Sequence, residues 1–98
     1  MKIPNKLKVG VKEFEVRMVD HLDSRAESQG VCSTDHLFIE IDNRLPQVQK
    51  EITFLHEIIH ACSDFIGLQD DERLDEESIC SRYDDILYTV LKENNLLN

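Results

Sequence analysis

His56-Glu57-Ile58-Ile59-His60 sets two imidazoles four residues apart, with a carboxylate directly after the first. In a helix, residues i and i+4 stand one turn apart on one face, so both rings can reach a single ion. Glu57 falls at the edge of that face, where it can take a proton from a water on the ion. Zinc suits these ligands and lowers the pKa of its water to about 7, so hydroxide becomes available at neutral pH. A shuffled chain of this composition carries the three fixed positions in about one or two cases per hundred. Chance is therefore small but real, and the surrounding elements have to decide.

Two histidines leave a tetrahedral site incomplete, since a catalytic zinc takes three protein ligands and keeps one position open. The candidates for the third are His21, His36, Asp64 and the acids around residue 76. Asp64 is four residues after His60, which suits a hydrogen bond to an imidazole better than ligation. His21 and His36 fall in the strand region and read as surface or edge residues. Asp70, Asp71, Glu72, Asp75, Glu76 and Glu77 crowd into eight residues. That cluster reads either as a solvated loop and helix start or as the source of a ligand. Between the last two, Glu77 is favoured over Glu76. On a helical wheel Glu76 lies about 20° from Tyr83, near the middle of the apolar stripe, and Glu77 about 120° from it. The metal belongs at the border of the core, and a carboxylate at the stripe's centre would be desolvated at a cost of several kcal/mol.

The elements that must position these residues are legible in the periodicity. From Val9 to Val19 apolar and polar residues alternate, as in a half-buried strand, with Gly10 marking a bend or bulge. Leu22 to Gly30 is polar and loop-like. Val31 to Asp42 is extended again, most strongly at Leu37-Phe38-Ile39-Glu40-Ile41. Pro46 suits the first turn of a helix that runs to about Ile66 and stops at Gly67. The wheel groups Phe54, Ile58, Ala61, Cys62, Phe65 and Ile66 on one face, expected to be core. Thr53, His56, Glu57, His60, Ser63 and Asp64 share the other. A last helix runs from about Asp75 to Lys92, with Ile79, Tyr83, Ile86, Leu87 and Val90 expected to be buried. Asn94 to Asn98 should fray. The expected fold is α+β: a small antiparallel sheet of about three strands packed against the two helices.

Composition narrows the partners. The 98 residues suit a single domain, 1–98, and the 41% apolar and 32% charged content is ordinary for a globular chain. A net charge of −9 argues against nucleic acid, whose phosphates need a positive footprint. No apolar run approaches the roughly 20 residues that span a bilayer, so no membrane is expected. The lysines at the N-terminus have no apolar segment behind them, so the chain reads as cytoplasmic rather than exported. Cys32, Cys62 and Cys80 form no CxxC pair and read as reduced, mostly buried thiols.

With these residues in place, the chain resembles the gluzincin metallopeptidases. It is most similar to the short zincin-like proteins of bacteriophages and mobile elements, sometimes called minigluzincins. The matching pieces are Ile52-Thr53-Phe54-Leu55-His56-Glu57-Ile58-Ile59-His60-Ala61, then Glu76-Glu77-Ser78-Ile79-Cys80 leading to Leu87-Tyr88-Thr89-Val90-Leu91, and the strand ending Phe38-Ile39-Glu40-Ile41-Asp42. The resemblance implies an active-site helix, a glutamate helix and a three-stranded sheet. It also implies zinc-dependent peptide hydrolysis, with an extended substrate beside the sheet's edge strand. In that family another acid often follows the ligand glutamate by one turn, and a small residue follows by two. Counted from Glu77, this chain carries Ser81 and Asp84 there. Two functions follow. One is a zinc peptidase acting on an intracellular protein; the other is a zinc-bound interaction module with little catalysis. Glu57 favours the first, because a purely structural zinc needs no acid beside its histidine. Substrate and oligomeric state are not legible.

Overall fold

The computed structural model describes residues 1–20, 22, 29–67, 71–94 and 96–97. Its elements in chain order are strands β1 (Lys6–Val9), β2 (Lys12–Val19), β3 (Gly30–Ser33) and β4 (Phe38–Asp42), then helices α1 (Gln47–Phe65) and α2 (Glu76–Glu93). The class is α+β, as expected. No helix among the described residues is long and apolar enough to cross a membrane.

The expectation of about three antiparallel strands is corrected. The sheet has four strands in the order β1-β2-β4-β3, and β2 runs parallel to β4, with Val16 beside Ile39 and Met18 beside Ile41. The outer pairs, β1 with β2 and β3 with β4, are antiparallel. Burial explains the order. Ile39 and Ile41 have no exposed surface, so β4 needs a neighbour on each side. A parallel pair requires a long crossover, and the stretch from Val19 to Phe38 supplies it, carrying β3 to the far edge on the way. The tight turn of the first hairpin needs Gly10, whose φ is +62°. A Cβ there would also collide with the ring of Phe65.

Phe14 and Val16 of β2, Ile39 and Ile41 of β4, and Phe54 and Ala61 of α1 form the buried core. Pro46 caps α1 rather than opening it, and Gly67 after its end adopts φ +73°. The expected burial on α1 holds for Phe54, while Ile58 packs half-buried against the core. Cys62 is exposed and so is Phe65, whereas Thr53, Glu57 and Ser63 are buried. The wheel assumed one covered face, but α1 lies in the corner between the sheet and α2, so two sides are covered.

The expected inner face of α2 is also corrected. Tyr83, Ile86 and Val90 point outward, and the line facing α1 is Cys80, Asp84 and Tyr88. Asp75 caps α2, its carboxylate accepting from the Ser78 N–H at 3.4 Å. Glu76 and Glu77 then fall in the first turn, where acids suit the positive end of the helix dipole.

Candidate metal centre

His56 and His60 stand one turn apart on α1, ring centroids 4.9 Å apart, with their Nε2 atoms 3.3 Å from each other. α2 runs antiparallel alongside and brings its first turn over them. Glu77 Oε1 lies 3.0 Å from His56 Nε2, and Oε2 lies 2.8 Å from His60 Nε2. The far ring nitrogens are held as well. His56 Nδ1 lies 2.9 Å from Asp84 Oδ2, and His60 Nδ1 lies 2.7 Å from Glu76 Oε1.

A carboxylate stands at each Nδ1, and a neutral ring that donates to it from there presents a bare Nε2. Two Nε2 lone pairs and the Glu77 carboxylate then converge, three acceptors with no donor among them. A shared cation resolves that. Zn–N bonds of about 2.0–2.1 Å at a tetrahedral centre put neighbouring ligand atoms about 3.3 Å apart, and the two Nε2 atoms stand 3.3 Å apart. The Glu77 oxygens stand closer, at 3.0 and 2.8 Å; the donor types suit zinc, and the three residues lie close enough to share an ion. The anionic surroundings also act on His60. Burial lowers its pKa, but the hydrogen bond to Glu76 and the charges of Glu57, Glu77 and Glu76 outweigh it and hold the imidazole above its ordinary value.

Glu57 faces the opposite flank, under the start of β3, and is only 5% exposed. Burial raises its pKa, the two histidines lower it, Glu77 raises it, and the net direction is up. Gly30 allows the strand to pass this close, since a Cβ there would stand 3.1 Å from Glu57 Oε2 and 2.7 Å from Thr53 Cγ2. A cleft of about 270 Å³ opens here, between Gln29 and Gly30 on one side and Thr53, His56, Glu57 and Glu77 on the other. Its rim is braced by Gln29, whose Oε1 accepts from Gln49 Nε2 at 2.7 Å and from Thr53 Oγ1 at 3.3 Å.

His60, Glu76 and Cys80 form a second group close enough to share an ion. Cys80 is fully buried, and burial, with the charges of Glu76 and Glu77, pushes its thiol up to about 12. With no ion beside it the thiol stays protonated at neutral pH. Cys32, pushed up to about 12 by burial and by Glu57, is likewise an inert thiol.

Of the residues singled out in the sequence, His56, Glu57, His60 and Glu77 come together. Glu76 joins them from behind His60. Asp64 pairs with Lys12 at 3.4 Å. His36 is exposed in the β3–β4 turn, its backbone N–H donating to Ser33 Oγ. His21 and Asp70 lie outside the described residues. Ser81, one turn after Glu77, donates to Glu77 Oε1 at 3.5 Å. Sequence reasoning missed Asp84 as the partner of His56. The available signal was its spacing of seven from Glu77, which returns to the same helix face. Compared with known protein families, curated proteins and solved structures, the chain has no match.

Proposed function

We propose that this protein is a zinc-dependent peptidase of the gluzincin kind, with His56, His60 and Glu77 as ligands and Glu57 as general base. One observation carries the reading: two Nε2 atoms and the Glu77 carboxylate converge within 3.3 Å of one another beside a buried carboxylate that borders an open cleft. Zinc bound there would supply a Lewis acid that acidifies a water and polarises the scissile carbonyl.

The chain's own residues supply the rest. Asp84 and Glu76 hold the imidazoles in the tautomer and orientation that ligation needs. Glu57 takes the proton of the attacking water and returns it to the leaving amine. Among the described residues β3 pairs with β4 alone, so its outer edge offers backbone groups to an extended peptide entering beside Gly30. The substrate class is a peptide or an unfolded segment of a protein.

The test is peptide-library cleavage by zinc-loaded protein, with Glu57→Gln as the control. Wild type should cleave, and the variant should keep its zinc while losing about 10²–10⁴-fold in turnover. Zinc retained by both proteins with no cleavage by either favours the interaction-module reading. Equal cleavage by both removes Glu57 from the mechanism.

A further inference from the structure

The apolar row that the sequence pattern set against α1 faces outward. Tyr83, Ile86 and Val90 are 60%, 54% and 46% exposed, and half-buried Ile79 continues the row. The spacing 79-83-86-90 alternates four and three, which is the d-a-d-a pattern of a heptad repeat. A helix face open to water ordinarily carries polar residues in such positions. Ile86 is nine residues from Glu77, about 180° around the helix. Whatever covers the row therefore leaves the cleft open.

We propose that a second copy of this chain covers it, with the two α2 helices antiparallel across a two-fold axis. The row is self-complementary in that arrangement. Antiparallel layering sets an a position against a d position. Ile86 then packs on Val90 of the second copy, and Val90 on its Ile86. The same register brings Tyr83 opposite Glu93 of the second copy, with Arg82 alongside. The Glu93 carboxylate meets a phenol O–H and a guanidinium, and the two-fold repeats the pairing at the other end. A parallel arrangement would instead set Glu93 against Glu93 in a d layer, like charge on like, and carry Arg82 away from it. The helix thus carries both halves of its own contact.

The contact is small. The exposed parts of the three outward side chains amount to roughly 300 Å² per copy, taking full areas of about 150–250 Å². Twice that lies below the roughly 1,200 Å² of a stable interface, in the range of transient ones. The charge of −9 on each copy opposes association further. The dimer is therefore weak, and it tightens with salt, which screens the net repulsion.

Sedimentation velocity over a concentration series tests it, on wild type, Ile86→Asp, Arg82→Glu and the double change Arg82→Glu/Glu93→Arg. All three positions are exposed, so the fold should survive, and circular dichroism verifies that. Wild type should pass from monomer to dimer as concentration rises, while Ile86→Asp stays monomeric. Arg82→Glu should weaken the dimer roughly tenfold by turning a charge pair into a like-charge contact, and the reciprocal change should restore it. A wild type that is monomeric throughout overturns the proposal. So does association that persists in Ile86→Asp, or an Arg82→Glu loss that the swap does not recover.

Discussion

Asp84 and Glu76 govern how the two histidines present themselves. Each stands at an Nδ1, at 2.9 and 2.7 Å, where accepting the N–H leaves Nε2 free to ligate. Removing such a partner ordinarily costs 10–100-fold in metal affinity. Asp84→Ala and Glu76→Ala are each expected to weaken zinc by about that factor, and Glu77→Ala to weaken it more, because it removes a ligand. Competition with a chromophoric chelator reads all three, and an unchanged affinity in Asp84→Ala would dismiss its role. The histidine pair was legible in the sequence because i and i+4 is a local relation that any helix enforces. Asp84 was not, because its contact with His56 spans 28 residues of chain and depends on how α2 is turned. The preference for Glu77 rested on an apolar stripe packed against α1. The structure turns that stripe away, yet Glu77 is the carboxylate between the Nε2 atoms.

Both helices and the segments of β2 and β4 could be read from periodicity, but β1 was not separated from β2, and the covered faces of the helices were legible only in part. The inward line of α2 is Cys80, Asp84 and Tyr88, two of them polar. Burying them is cheap because Asp84 meets His56 and the Tyr88 hydroxyl donates to Glu51 at 2.9 Å. A wheel that ranks faces by hydrophobicity does not register such pairing. The sheet was misread for a related reason: alternation identifies a strand but not its neighbours, and the parallel place of β4 is set by the long crossover. Glu51 supplies a test of the α1–α2 contact. Its burial alone would raise its pKa, but donation from Gln47, Tyr88 and the Met1 ammonium outweighs that and holds it below the ordinary value. A carboxylate depressed in the folded state contributes stability that is present above its unfolded pKa and lost as pH falls through the folded one. Wild type should therefore be more stable than Glu51→Gln near neutral pH, by about 1–3 kcal/mol. Denaturant melts at falling pH should show that advantage disappear, and an advantage that grows on acidification would refute the pairing.

For the molecule as a whole, metal and fold are linked. A chain of this size buries at most about two-thirds of its unfolded surface, and the proposed ion would tie α1 to α2 at their shared end. Zinc at 100 times its Kd would add about 2.7 kcal/mol, so chelation is expected to lower Tm by roughly 10–20 °C. Differential scanning calorimetry with and without chelator checks this. The central claim is tested most directly by elemental analysis of dialysed protein, wild type beside His56→Ala and Glu77→Ala. The account predicts about one zinc per chain in wild type and substoichiometric zinc in both variants, with helix content retained. Stoichiometric zinc in His56→Ala, or none in wild type after reconstitution, would contradict it.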